Sequence, residues 1–275
     1  MKKRYILICL TLAALILSLS TIRVSADFGP KPSSYISIKG IEGEYTAAFA
    51  AKDSWGLTYE DWLENDASTL EYHPIMEYQD EDGFHWITWY TVCSGDSQIR
   101  YTYYCPNEFK IIIYQDDELA YASEPLKRYA YASYYEINFS TGDIHSGTEE
   151  PKITKTYSYG KEILGFIARF ILTLVIELLV FFLMRLYTKR NLKIVLIMNG
   201  ITQLLLNVCI NIEIFNSGWL SAIFLLFILE FIVLLIEVIF YSVLMKDKKR
   251  WVITLYPFIA NLLSFFISFF LIVLI

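Results

Sequence analysis

The sequence predicts a multi-domain membrane protein: an all-β, sandwich-like extracellular domain followed by an α-helical four-transmembrane bundle. Three observations predict it. The chain opens with a basic then apolar segment of export-signal type. An acidic, aromatic-rich stretch with strand alternation follows, and four long apolar runs then occupy 161–275. At 55% hydrophobic residues and a mean hydropathy of +0.41, the 275-residue chain is more apolar than ordinary soluble proteins.

The elements follow in chain order. Met1-Lys2-Lys3-Arg4 precedes an apolar stretch that ends near Val24-Ser25-Ala26, whose residues at the −3 and −1 positions suit signal peptidase, so 1–26 reads as a signal peptide. An uncleaved anchor helix is the alternative, and either one exports the segment that follows. Over 27–139, β-branched and aromatic residues alternate between turn clusters, giving about seven strands. Phe84, Trp86, Thr88 and Tyr90 fall on one face and His85, Ile87 and Trp89 on the other; Tyr129 to Phe139 alternate likewise. Segments 35–39, 44–50, 109–115 and 118–123 supply further strands, and 59–65 a turn or two of helix. Asp82-Gly83 and Ser94-Gly95-Asp96 carry hairpin-turn chemistry, because Gly and Asp tolerate positive φ. Residues 140–160, rich in Gly, Ser, Thr and Glu, read as a tether.

Runs at 162–184, 194–215, 219–245 and 252–275 are each long enough to cross a hydrocarbon core of about 30 Å. Arg185, Lys189, Arg190 and Lys193 lie between the first two, and Lys246, Lys248, Lys249 and Arg250 between the last two. By the positive-inside rule both clusters face the cytoplasm, which puts the β domain and the C-terminus outside. Asn216-Ser217-Gly218 makes the second and third runs an antiparallel pair.

Charge separates the two halves. Residues 27–160 hold about 23 acids against 9 bases, and 161–275 about 10 bases against 6 acids. The acidic half excludes a phosphate-binding surface, and with it nucleic acid. Of four cysteines only Cys93 and Cys105 could pair. A hairpin turning at Gly95-Asp96 would hold them about 20 Å apart, beyond disulfide reach, which favours two free thiols. His73, His85 and His145 match no zinc spacing, and Asp80-Glu81-Asp82-Gly83 lacks the ligand pattern of a calcium loop. No catalytic residue, metal site or cofactor is expected. The many Tyr and Trp suit carbohydrate or peptide contact, although core packing explains most of them.

The apolar runs carry a polar constellation. Asn199, Gln203, Asn207 and Asn211 recur every fourth residue, a stripe that must face protein or water. Glu230 and Glu237 share a face of the third run, the first carries Arg169 and Glu177, and the fourth Asn261, Ser264 and Ser268. At 1.5 Å per residue Glu177, Asn199 and Glu237 fall near the cytoplasmic end, and Gln203, Glu230 and Asn261 near mid-membrane. Arg169 is expected to meet headgroups or Glu230. Glu177, Asn199, Gln203, Asn207, Glu230, Glu237 and Asn261 thus form a candidate intramembrane polar or ion site, because carboxylates there are costly unless paired, protonated or hydrated. Hydrogen bonding that only holds the helices together is the competing explanation. No His lies in these runs to support metal or nucleophilic chemistry.

Ala26-Asp27-Phe28-Gly29-Pro30-Lys31-Pro32-Ser33, the Arg169 to Glu177 helix, the segment from Asn199 to Asn207, the paired Glu230 and Glu237, and the segment from Ala260 to Phe265 together resemble a family of uncharacterised membrane proteins of Gram-positive, Clostridia-like bacteria. The resemblance covers nearly the whole mature chain and implies the same topology and four-helix polar motif, with no catalytic role to carry over. The expected function is non-enzymatic: a β domain that contacts an extracellular ligand, envelope component or membrane partner, on a bundle that sits in the lipid bilayer and anchors or relays. An ion- or proton-coupled transport component using the glutamates is the alternative, and with four helices it would need to oligomerise. An intramembrane enzyme ranks third.

Overall fold

The computed structural model describes residues 30–52, 71–142 and 150–274, and the chain divides into two compact units, Pro30–Tyr157 and a helical unit from Ser158 onward. The export-signal region, the helical turn expected at 59–65 and His145 lie outside the described residues.

The first unit is a β-sheet domain. Strands β1 (Ser33–Ile41), β2 (Glu44–Ala51), β3 (His85–Ser94), β4 (Ser97–Tyr101), β5 (Glu108–Gln115), β6 (Glu118–Ala122), β7 (Leu126–Lys127), β8 (Ala132–Gly142) and β9 (Lys152–Lys155) build two sheets. One runs β4-β1-β8-β9 and the other β3-β2-β5-β6, with β7 on β5. Alternation places Ile36, Ile38, Ile99, Tyr135, Ile137 and Phe139 of the first sheet against Tyr45, Phe49, Ile87, Phe109, Ile111 and Ile113 of the second in one core. Pairing of β1 with β8 is parallel and every other pairing is antiparallel. A register shift in β1 falls at Gly40, whose φ is +78° and where a Cβ would run into the Phe139 carbonyl, so only glycine fits.

The second sheet is covered on its other face as well. Ala48, Ala50, Trp86 and Ile112 pack there beneath Ile75, Met76, Tyr78 and Phe84, carried by a 3₁₀ turn Pro74–Glu77 and the chain after it. Central strands β2 and β5 are therefore apolar on both faces and read as nearly continuous hydrophobic runs. The turn into β3 closes on Asp80, whose carboxyl accepts from Phe84 N (2.9 Å), Tyr78 OH (3.2 Å) and Lys110 Nζ (2.7 Å). Burial opposes its charge. The hydrogen bonds from Lys110, Phe84 and Tyr78 prevail and hold its pKa below the ordinary aspartate value.

Two expectations are corrected. Residues 84–92 and 98–104 do not form a hairpin: β3 pairs with β2 and β4 with β1, so Ser94-Gly95-Asp96 carries the chain from one sheet to the other. Nine strands form among the described residues, and Lys152–Lys155, expected within the tether, pairs antiparallel with β8. Tyr157 then sets its ring against those of Tyr129 and Tyr134. Cys93 and Cys105 are free and buried, and the Cys105 thiol lies 3.2 Å from the Ser34 hydroxyl. Burial pushes the Cys105 thiol up to about 11 and raises Cys93 too, so neither is a thiolate near neutrality.

The second unit holds helices α1 (Tyr159–Leu183), α2 (Lys189–Leu244) and α3 (Arg250–Leu274). The turn after α1 closes as a Schellman motif: Leu186 N donates to Phe181 O and Arg185 N to Phe182 O, with Arg185 at φ +55° where glycine is usual. The Thr188 side chain then caps α2 by accepting from Asn191 N. A straight helix the length of α2 would be roughly 80 Å long. Gly218, at φ 84° and ψ 172°, breaks it instead, and Arg190 at one end donates to the Leu244 carbonyl at the other (3.1 Å). α2 is thus two antiparallel arms, 189–217 and 219–244. In place of four separate helices the described residues from Ser158 onward form three, of which α1 and α2 are long and apolar enough to cross a membrane.

Two outcomes follow for the β domain. A fragment ending at Pro151 loses β9 and the Tyr157 contacts, so its urea midpoint should fall below that of a fragment ending at Tyr157; equal midpoints would make β9 an appendage. The folded pKa of Asp80 is depressed, so its contribution is complete above the unfolded value and lost as pH falls through the folded one. Urea midpoints should therefore drop below about pH 4, and Asp80→Asn should flatten that acid limb.

Candidate functional site

Two stripes with the same spacing face each other. Arg169, Thr173 and Glu177 occupy successive fourth positions of α1, and Asn199, Gln203, Asn207 and Asn211 do so on the first arm of α2; all are buried except Asn211, which is half-buried. Arg169 Nε donates to Asn207 Oδ1 (3.0 Å) and Nη2 to Asn211 Oδ1 (2.5 Å). Because the helices run antiparallel and both repeats are four residues, that contact sets the levels: Thr173 lies level with Gln203, and Glu177 with Asn199.

The Gly218 reversal brings Glu237 to the Glu177 level. Its Oε1 accepts from Thr202 Oγ1 (3.0 Å) and its Oε2 from Asn261 Nδ2 (2.7 Å), so three helical segments meet at one carboxyl. Asn261 Nδ2 also donates to the Pro257 carbonyl (2.9 Å). Tyr241 OH donates to Asn199 Oδ1 (2.6 Å), Tyr256 OH to the Glu177 carbonyl (3.4 Å), and the two tyrosine rings pack 5.4 Å apart. The carboxyls of Glu237 and Glu230 lie within electrostatic reach of Glu177. Among the described residues, Thr173 Oγ1, both carboxyl oxygens of Glu177 and Glu230, both amide atoms of Gln203, Asn199 Nδ2 and Asn261 Oδ1 are buried without a hydrogen-bond partner.

All seven candidate residues are buried, but their grouping differs from expectation. Asn261 belongs with Glu237 and not with a separate mid-level group. Arg169 bonds the asparagine stripe and not Glu230, because its fork spans two amides four residues apart. Thr173, Thr202, Tyr241 and Tyr256 join the site without having been singled out. Thr173 was findable, since it stands midway in the Arg169–Glu177 spacing. Thr202 was not, because helix-interior threonines usually bond their own helix. The Ser268 side chain lies outside the described residues.

No three His, Cys, Asp or Glu among the described residues come together to hold a metal ion, and of the carboxyls of Glu177, Glu230 and Glu237 only that of Glu237 is held by an amide and a hydroxyl. Such an arrangement can hold protons or orient a small donor. It offers no nucleophile paired with a base.

In the β domain the Asp80–Gly83 turn is filled by the Lys110 ammonium, which reaches both Asp80 (2.7 Å) and Asp82 (3.2 Å). His73 caps the 3₁₀ turn through Nδ1, and burial lowers its pKa against the pull of Asp117. Most large aromatics serve the cores, whereas Trp89 and Tyr103 stand exposed. In comparisons with protein families, curated proteins and solved structures, the chain matches none of them.

Proposed function

We propose that the chain is an integral membrane protein whose helical unit crosses the bilayer four times, by α1, the two arms of α2 and α3, and carries the β domain outside the cell to bind a ligand or partner. One observation carries this reading: the helical unit is inside out. Ile171, Leu179, Ile201, Leu204, Phe231 and Leu262 are exposed while Arg169, Glu177, Asn199, Gln203, Glu230 and Glu237 are buried. A water-soluble bundle has the opposite distribution, and hydrocarbon accommodates this one at no cost to the outward side chains.

The polar core then lies where lipid would otherwise leave amides and carboxyls unsolvated. Basic residues at Arg185–Lys193 and Lys246–Arg250 support a cytoplasmic side for both links. With them the exported β domain and the C-terminus fall outside, in keeping with the resemblance to the Clostridia-like membrane family. Transport of an ion or proton is the second reading, favoured by the carboxyls of Glu177 and Glu230, which have no partner among the described residues.

Single cysteines placed at Lys189 and Lys248 should resist a membrane-impermeant thiol reagent in intact cells and react after permeabilisation, while one at Ser146 should react at once. Labelling at Lys189 in intact cells, or protection at Ser146, would overturn this topology.

A further inference from the structure

Glu237 differs from Glu177 and Glu230. Both of its oxygens are hydrogen-bonded, and one of the donors has a choice. Thr202 Oγ1 lies 3.0 Å from Glu237 Oε1 and 3.0 Å from the Met198 carbonyl. A hydroxyl has one hydrogen and two lone pairs, so it can serve only one of these acceptors at a time. With Glu237 ionised, Thr202 donates to Oε1. With Glu237 protonated on Oε1, that O–H donates to Thr202, whose own hydrogen turns to Met198 O. Asn261 Nδ2 donates to Oε2 in both cases, because Oε2 is an acceptor in the carboxylate and in the acid alike. Either protonation state keeps both hydrogen bonds at the Glu237 carboxyl, and the change needs only a hydroxyl rotation.

We propose that Glu237 is the proton-exchanging group of the helical unit, with Thr202 as its reversible hydrogen-bond partner. This rests on the reading that the unit lies in a membrane. The step is balanced: one proton from water converts the carboxylate to the acid and returns to water in reverse, with no redox partner. The groups around Glu237 are Glu177 from α1, Asn199 and Thr202 from the first arm, Glu230 and Tyr241 from its own arm, and Tyr256 and Asn261 from α3. None is a cation. The buried cation Arg169 sits eight residues from Glu177 along α1, about 12 Å of rise, and its bonds to Asn207 and Asn211 leave the carboxyl level without a fixed counter-charge. Fixed ion pairing would tie Glu237 to one protonation state; neutral donors do not.

The test is infrared difference spectroscopy of the full-length protein in lipid vesicles, titrated across about pH 4 to 10, following the carboxylic C=O band. Wild type should show a titrating component that the Glu237→Gln protein lacks, on the background of carboxyls common to both. Glutamine reproduces the hydrogen bonds of the protonated form, so this variant should still assemble. Thr202→Val should move the midpoint up by about one pH unit, a tenfold change in proton affinity, because the carboxylate loses a stronger hydrogen bond than the acid does. Thr202→Ser should restore it. A wild-type titration that Glu237→Gln leaves unchanged, or a midpoint of that component unmoved by Thr202→Val, overturns the proposal. Membrane insertion is read separately by flotation with the vesicles: an inserted protein without that component sinks this inference alone, whereas a protein that stays unbound contradicts the membrane reading itself.

Discussion

The contact of Arg169 with Asn207 and Asn211 decides what else can meet in the helical unit. A guanidinium 3% exposed must find acceptors, and two amide oxygens one helical turn apart match its planar fork. Once that pairing is made, the fourfold spacing on both helices sets Thr173 beside the level of Gln203 and Glu177 beside that of Asn199. The reversal at Gly218 then delivers Glu237, and Asn261 closes on it from α3. Slipping α1 by a turn beyond Asn211 would leave the guanidinium with one amide, and a slip in either direction would move the Glu177 carboxyl off the Tyr241–Asn199 level.

The two units solve opposite problems. In the β domain the hydrophobic effect does the ordering: an apolar layer between the sheets and another beneath the 3₁₀ turn bury β2 and β5 on both faces. Charge enters at a few closed places, such as Lys110 between Asp80 and Asp82. In the helical unit many large apolar residues are exposed while polar ones are buried beside two apolar clusters; on the membrane reading proposed above, burial from water gives such helices little reason to associate, and polar contacts together with close packing hold them. That is why the polar residues there lie in stripes of spacing four, on the side of each helix that meets its neighbours.

Much of this was legible in the sequence, for identifiable reasons. Strands 35–39, 44–50, 109–115 and 118–123 showed themselves through alternation, and each appears within a residue or two of its expected place. The stripe from Asn199 to Asn211 was readable because polar residues at helical spacing in an apolar run have few explanations. Sheet assignment was not readable. The Ser94-Gly95-Asp96 turn suits a hairpin locally, yet β3 and β4 separate because parallel pairing of β1 with β8 leaves β4 the free edge of the other sheet, a long-range condition. Strand β9 escaped notice because four residues, Lys152–Lys155, are too short for alternation to register. The role of Thr202 was hidden because a threonine's second acceptor depends on which helix stands opposite, and that follows from the turn at Gly218.

Everything said of the polar core depends on its outer surface meeting hydrocarbon. The most direct measurement places nitroxide labels, one at a time, at Ile171, Ile201, Phe231 and Leu262, all more than half exposed, in the protein reconstituted into vesicles, and compares relaxation by dissolved oxygen with relaxation by a water-soluble nickel chelate. A bilayer-embedded unit predicts strong oxygen and weak nickel effects at all four positions; strong nickel effects at any two of them on different helices would contradict it.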